Sequence, residues 1–135
     1  MSVLPNISYY LGSYRRTRCD LTQLPQALGF EHNKVCLVNF DAASLVSFTP
    51  HNEGYLVNLV DDEIFLGEFS LLPHSPFRNG PGDVSFKMVE KSEGKLLCSE
   101  EKTGRVFYAH ETDVVINVNI AWEATPDIPG DELGP

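Results

Sequence analysis

The chain has 135 residues, of which 42% are hydrophobic and 21% are charged. This length supports one domain and excludes a two-domain enzyme, and the hydrophobic share excludes a wholly disordered chain. Ten Lys and Arg residues stand against nineteen Asp and Glu residues, which gives a net charge of -9. Because nucleic acids and anionic membranes are polyanions, this balance opposes binding to either and favours neutral or basic partners.

The start of the chain, Met1 to Pro5, lacks the basic residues and apolar run of a secretion signal, and no stretch is long enough to span a membrane as a helix. The three cysteines, Cys19, Cys36 and Cys98, form no Cys-x-x-Cys pair. This spacing predicts neither a zinc site nor a redox motif. We therefore expect reduced thiols and a cytoplasmic location.

Residues 9–18 combine aromatic and basic side chains. Tyrosine and arginine are the residue types that anchor protein interfaces, and the interface candidates are Tyr9, Tyr10, Tyr14, Arg15, Arg16 and Arg18. The same residues could grip an RNA strand by stacking, although the net charge argues against this. A third interpretation has the tyrosines packed inside and the arginines paired with surface acids. The sequence leaves these alternatives open.

The pattern of apolar residues predicts an all-β fold. A short helix is expected over 21–28, after Asp20 as N-cap, although Pro25 interrupts it. Strands are predicted over 35–40, 44–49, 55–60, 64–69, 84–90, 95–99, 105–110 and 113–122. About seven or eight short strands with Gly and Asn turns indicate a single antiparallel sandwich or barrel. No connection is long enough for the crossover helix of a parallel sheet.

The end of the chain carries the strongest strand pattern and the most polar segment. Five residues are predicted to face the core from one central strand: Val114, Ile116, Val118, Ile120 and Trp122. Prolines and glycines predict an irregular loop over 71–83. We expect residues 1–122 to form the β domain and 123–135 to form a flexible acidic tail rich in Pro and Gly.

One segment resembles a known family. Gly67, Pro73, His74 and Asn79 follow the order of the second conserved motif of the cupin superfamily, and Pro73-His74-Ser75-Pro76 is similar to a stretch in some cupin dioxygenases. The resemblance implies a β-barrel in which His74 is a ligand of a catalytic transition metal, usually iron.

The first cupin motif, with its His-x-His pair, is missing from the chain. Its nearest substitutes are His51 and Glu53. A metal site of this kind would therefore use His51, His74 and His110, which come from separate parts of the chain.

No catalytic set is apparent in the sequence. A Gly-x-Ser-x-Gly nucleophile motif is absent. Cys98 and His110 could meet across the predicted hairpin, although a buried structural thiol is the favoured interpretation of Cys98. We therefore predict a non-catalytic binding or assembly protein that acts through protein–protein contacts without a cofactor, with homo-oligomerisation left open.

Two other functions are consistent with the sequence. The first is a cupin-like barrel with a small-ligand or metal site around His74. The second is an acidic antagonist of a basic target, of the immunity or nucleic-acid-mimic type, which would use acidic clusters such as 61–63.

Overall fold

The computed structural model describes residues 8–13, 26–73, 85–100, 102–115 and 117–127. These ranges contain eleven strands and two single-turn 3₁₀ helices. The strands are β1 (Tyr9–Ser13), β2 (Gln26–Glu31), β3 (Lys34–Asn39), β4 (Val46–His51), β5 (Gly54–Leu59), β6 (Ile64–Pro73), β7 (Ser85–Glu90), β8 (Leu96–Glu100), β9 (Arg105–Ala109), β10 (Val118–Asn119) and β11 (Trp122–Pro126), and the 3₁₀ helices are Phe40–Ala42 and Glu111–Asp113. No helix in these ranges has the length and apolar character needed to cross a membrane.

The strand pairings are antiparallel and close on themselves. From β8 the order runs through β9, β3, β2, β1, β4, β5, β6 and β7 and returns to β8, which makes a nine-stranded barrel. β10 adds to β8, and β11 lies between β1 and β7. The predicted antiparallel sandwich or barrel is confirmed, and the fold takes the barrel form. It has more strands than expected because β1 and β2 are not predicted as strands and the predicted strand over 113–122 divides into β10 and β11.

The interior of the barrel is filled by side chains. Trp122, Phe48, Phe69 and Phe86 have no exposed surface. The Phe48 ring meets the Phe86 ring edge-on at 6.4 Å between centroids, a favourable arrangement for aromatic pairs. Small barrels are just wide enough for inward side chains to fill them. Among the described residues, these side chains belong to one hydrophobic core inside the barrel.

The prediction of one strand over 113–122 is wrong. The segment divides into the 3₁₀ helix Glu111–Asp113, strand β10 and, from Trp122, strand β11. β10 pairs with β8, whereas β11 pairs with β1 and β7, so the chain changes neighbours between them. Alternation identifies the faces of a strand but not the point at which it leaves one partner for another. Trp122 faces the core as predicted, Val114, Val118 and Ile120 are only half-buried, and Ile116 lies outside the described residues.

Strand β11 extends into the segment predicted to be a flexible tail from residue 123. Glu123 to Pro126 continue β11 and pair with β1 as far as Tyr9. The pairing goes one step further, since the backbone N–H of Asp127 donates to the Ser8 carbonyl at 2.9 Å. Pro126 is tolerated because the ladder donor to β1 at this end of the strand is the N–H of Asp127, so no N–H is needed from Pro126. Residues 128–135 lie outside the described part of the chain.

Two other local predictions are corrected. Gln26 to Leu28, expected in a helix, belong to β2, where Ala27 and Leu28 are both buried. Burial on both faces gives an apolar run that periodicity cannot distinguish from a helix. Leu71 to Pro73, expected in a loop, extend β6 and pair with β7. The remaining parts of both predictions, 21–25 and 74–83, lie outside the described residues.

Candidate protein-binding surface

The tyrosines at the front of the chain separate by strand alternation. Tyr9 points inward and is 6% exposed, with its ring edge-on to Phe48 at 5.7 Å between centroids. This removes Tyr9 from the surface candidates and agrees with the packing alternative. Tyr10 points the other way, is half-buried, and lies 5.2 Å from the Phe40 ring. The remaining candidates, Tyr14, Arg15, Arg16 and Arg18, lie outside the described residues.

Two of the three histidines proposed as metal ligands, His51 and His110, lie in the described residues and belong to no cluster that could hold a metal ion there. His51 Nδ1 is 3.1 Å from Glu68 Oε2, and Lys91 Nζ is 3.2 Å from the same oxygen. The ammonium group competes with any cation for this carboxylate. His110 is exposed beside the second 3₁₀ helix, and His74 lies outside the described residues. Within the described ranges no group of three or more His, Cys, Asp or Glu side chains could hold a metal ion.

The cupin-type motif is also only partly described. Gly67 to Pro73 lie in strand β6 rather than in a loop, because this stretch pairs with β5 and β7. His74 and Asn79 are outside the described residues. The metal-dependent alternative therefore stays a prediction.

The network of His51, Glu68 and Lys91 predicts a small acid sensitivity. The hydrogen bond from His51 and then that from Lys91 lower the pKa of Glu68 below its ordinary value of 4.5. A lowered pKa in the folded state means that the ionised carboxylate stabilises the fold above pH 4.5, and that this contribution is lost as pH falls through the lowered value. We expect Glu68→Gln to lower the urea midpoint slightly near pH 6. The difference should shrink as the pH is lowered well below 4.5, because the carboxylate of Glu68 becomes protonated. A difference that does not change with pH would contradict this assignment.

Cys98 is a structural thiol. Its side chain has no exposed surface, and its Sγ–H donates to the Leu96 carbonyl at 3.4 Å. Burial raises the pKa of Cys98 to about 11, so the nucleophilic thiolate is suppressed at neutral pH. Cys98 pairs across the hairpin with Phe107 rather than with His110.

Alkylation should distinguish the two described cysteines. A short iodoacetamide pulse on the native protein is expected to modify Cys36, which is half-buried, well before Cys98. Peptide mass spectrometry gives both rates in one sample, and denatured protein supplies the control in which both thiols react. Equal rates in the native protein would contradict the burial of Cys98.

The hairpin that joins β5 to β6 presents apolar and acidic side chains together. Val60 is 42% exposed and Phe65 is 59% exposed. Between them lie Asp61, Asp62 and Glu63, all exposed. We call these five residues the hairpin surface. An exposed phenylalanine beside three carboxylates is unusual because large aromatic side chains are normally buried.

A β-bulge in β6 is the reason why Phe65 faces outward. Phe69 points into the core, and simple alternation would turn Gly67 and Phe65 inward as well. The register shifts so that Gly67 pairs with Val57 and Phe65 pairs with Asn58, which leaves Leu66 as the extra residue. Gly67 takes φ +144°, a conformation that L side chains rarely adopt. The bulge thus reverses the facing of the strand and exposes the Phe65 ring.

Tyr108 of β9 holds this bulge. Its hydroxyl donates to the carbonyl of the extra residue, Leu66, at 3.1 Å, and its ring stacks on Phe69 at 6.3 Å between centroids. Burial, and then the negative charge of Glu90, raise the pKa of Tyr108 above its ordinary value. Tyr108 thus stabilises the bulge through one hydrogen bond and one ring contact.

No protein-family model, no curated protein and no solved structure matches this chain.

Sequence reasoning did not single out Phe65. The apolar pattern predicts a strand over 64–69, and the turn over 61–63 attracts attention in the sequence only because it is acidic. The available signal was the consecutive apolar run Ile64-Phe65-Leu66 followed by Gly67, which cannot alternate across a pleated strand.

Proposed function

We propose that the protein is a non-catalytic binding or assembly protein that acts through contacts with another protein. The observation that carries this proposal is the contrast between a barrel filled by buried rings such as Trp122 and Phe48 and an outer wall on which Phe65 is 59% exposed. A filled interior leaves binding to the outer surface. Exposed aromatic side chains are typical anchors of protein interfaces.

The proposal also includes the cellular location of the protein and the net charge of its partner. Cys36 and Cys98 are both free thiols, which supports a reducing compartment such as the cytoplasm. The net charge of -9 supports a basic partner, because opposite net charges accelerate encounter and suppress wrong partners. This charge also agrees with the antagonist alternative, which would add inhibition of the partner to binding.

The experiment is affinity capture with the full chain as bait in extract of the cells that make it. We expect one protein to be retained in stoichiometric amount and to co-elute with the bait on gel filtration at moderate salt. An unrelated acidic protein of similar net charge is the matched control, since it reveals capture by charge alone. A bait that stays alone, or that retains only what the control retains, would contradict the proposal.

A further inference from the structure

We infer that the hairpin surface, Val60 to Glu63 with Phe65, is the docking site, and that the partner is a basic protein with an arginine-bearing segment. This inference rests on the proposed function and names where and with what chemistry it acts. Three observations carry it: the exposure of Phe65, the unpaired charge beside it, and the rigidity of the turn.

The β-bulge in β6 produces the apolar part of the hairpin surface. The bulge at Leu66 turns Phe65 outward, and Tyr108 satisfies the carbonyl of that extra residue. Bulges that re-aim a side chain in this way are common next to functional sites. Val60 adds a second apolar side chain, 42% exposed, at the start of the turn.

The charge beside Phe65 is not neutralised within the described part of the chain. Asp61, Asp62 and Glu63 form no ion pair there. Four other described acids are paired, namely Glu68 with Lys91, Glu93 with Lys95, Glu100 with Arg105 and Glu111 with Lys87, whereas Glu31 and Glu53 also form no ion pair there. Three consecutive carboxylates without an ion pair among the described residues therefore lie next to an exposed phenylalanine in the chain, and a basic partner would supply the missing charge.

The turn is held in place before any partner binds. Ser44 Oγ donates to Asp62 Oδ2 at 3.2 Å, and the backbone N–H of Val60 donates to the Leu45 carbonyl at 2.8 Å. Inside the turn, the Glu63 N–H donates to the Val60 carbonyl at 3.4 Å. A preorganised turn loses little conformational entropy on binding, which favours affinity.

Arginine fits this surface better than other side chains. Its guanidinium group can lie over the face of the Phe65 ring while it donates two hydrogen bonds to a neighbouring carboxylate. Nucleic acid would be repelled by the carboxylates. A second copy of the chain would bring the same three carboxylates to the interface, where like charges oppose association.

The test places the photo-crosslinking residue benzoylphenylalanine at Phe65 in the full chain. A second protein carries it at Val115, which is 63% exposed, as the matched control. After irradiation in the cells that make the protein, we expect a crosslink from position 65, and none from position 115, to an Arg-containing segment of a protein with positive net charge. Neutralising the turn with Asp61→Asn, Asp62→Asn and Glu63→Gln should lower the crosslink yield about tenfold, while unchanged melting temperatures confirm the fold.

The failures of the two proposals can be told apart. If affinity capture recovers a partner that position 65 does not crosslink, or that the neutral turn binds equally well, the hairpin assignment is wrong and the protein-binding function stands. A crosslink from position 65 to an acidic protein, to nucleic acid or to a second copy of the chain also overturns the assignment. If capture and crosslinking both recover nothing, both proposals fail.

Discussion

Replacing Trp122 by alanine is expected to lower the free energy of unfolding by about 3–5 kcal/mol. The indole has no exposed surface, and its Nε1–H donates to the Leu97 carbonyl at 2.9 Å. Trp122 also lies where β11 pairs with Ser13 of β1 and with Phe86 of β7. Removing the indole would therefore leave a cavity beside the strand that joins β1 to β7. Chemical denaturation followed by far-UV circular dichroism measures the loss.

Two variants separate the packing of Trp122 from its hydrogen bond. Trp122→Phe keeps a ring but removes the hydrogen bond to the Leu97 carbonyl, and should cost less than alanine, about 1–3 kcal/mol. Val115→Ala, at a position 63% exposed, should change stability by less than about 0.5 kcal/mol. If Trp122→Ala were no more destabilising than Val115→Ala, the position of β11 in the barrel would be wrong.

Truncation after Trp122 should destabilise the protein severely. The cut removes the four residues of β11 that pair with β1 from Gly12 back to Tyr9, and it removes the hydrogen bond from Asp127 to Ser8. At about 1 kcal/mol for each lost backbone hydrogen bond, the cost is about 4 kcal/mol, which approaches the whole stability of many small domains. Thermal melting followed by circular dichroism should show a large fall in melting temperature or no cooperative transition.

Truncation after Asp127 is the matched control for this experiment. It removes only 128–135, the part of the expected acidic tail that lies beyond β11. We expect this shorter protein to melt cooperatively, close to the full chain. If removal of 123–135 and removal of 128–135 had the same effect, the strand assignment of 123–126 would be contradicted.

Much of the barrel could be predicted from the sequence because most of its strands belong to hairpins. β4 and β5 show apolar residues on one face, and their turn takes positive φ at Asn52 and Glu53. Such strands reveal themselves locally. β11 could not be found in this way, since its partners β1 and β7 are distant in sequence and its last residue, Pro126, suggests a loop. Long-range pairing, not local propensity, makes this segment a strand.

The candidate surface was harder to predict than the fold. Tyr9 and Tyr10 are adjacent in sequence and similar in chemistry, yet alternation buries the first and half-exposes the second. A one-residue difference in facing decides which tyrosine a partner could touch. Phe65 shows the same effect in reverse, because one extra residue at Leu66 moves its ring from the core face to the outer wall. Facing depends on register, which the sequence leaves undetermined wherever a bulge is present.

An NMR titration of the isotope-labelled protein with the partner recovered by capture distinguishes binding on the outer surface of the barrel from binding inside it. We expect the resonances of Val60 and Phe65 to shift, while the indole N–H resonance of Trp122 stays in place and remains protected from exchange. A shift or loss of protection at Trp122, with Phe65 unchanged, would show that the ligand enters the barrel and would contradict binding on the outer surface.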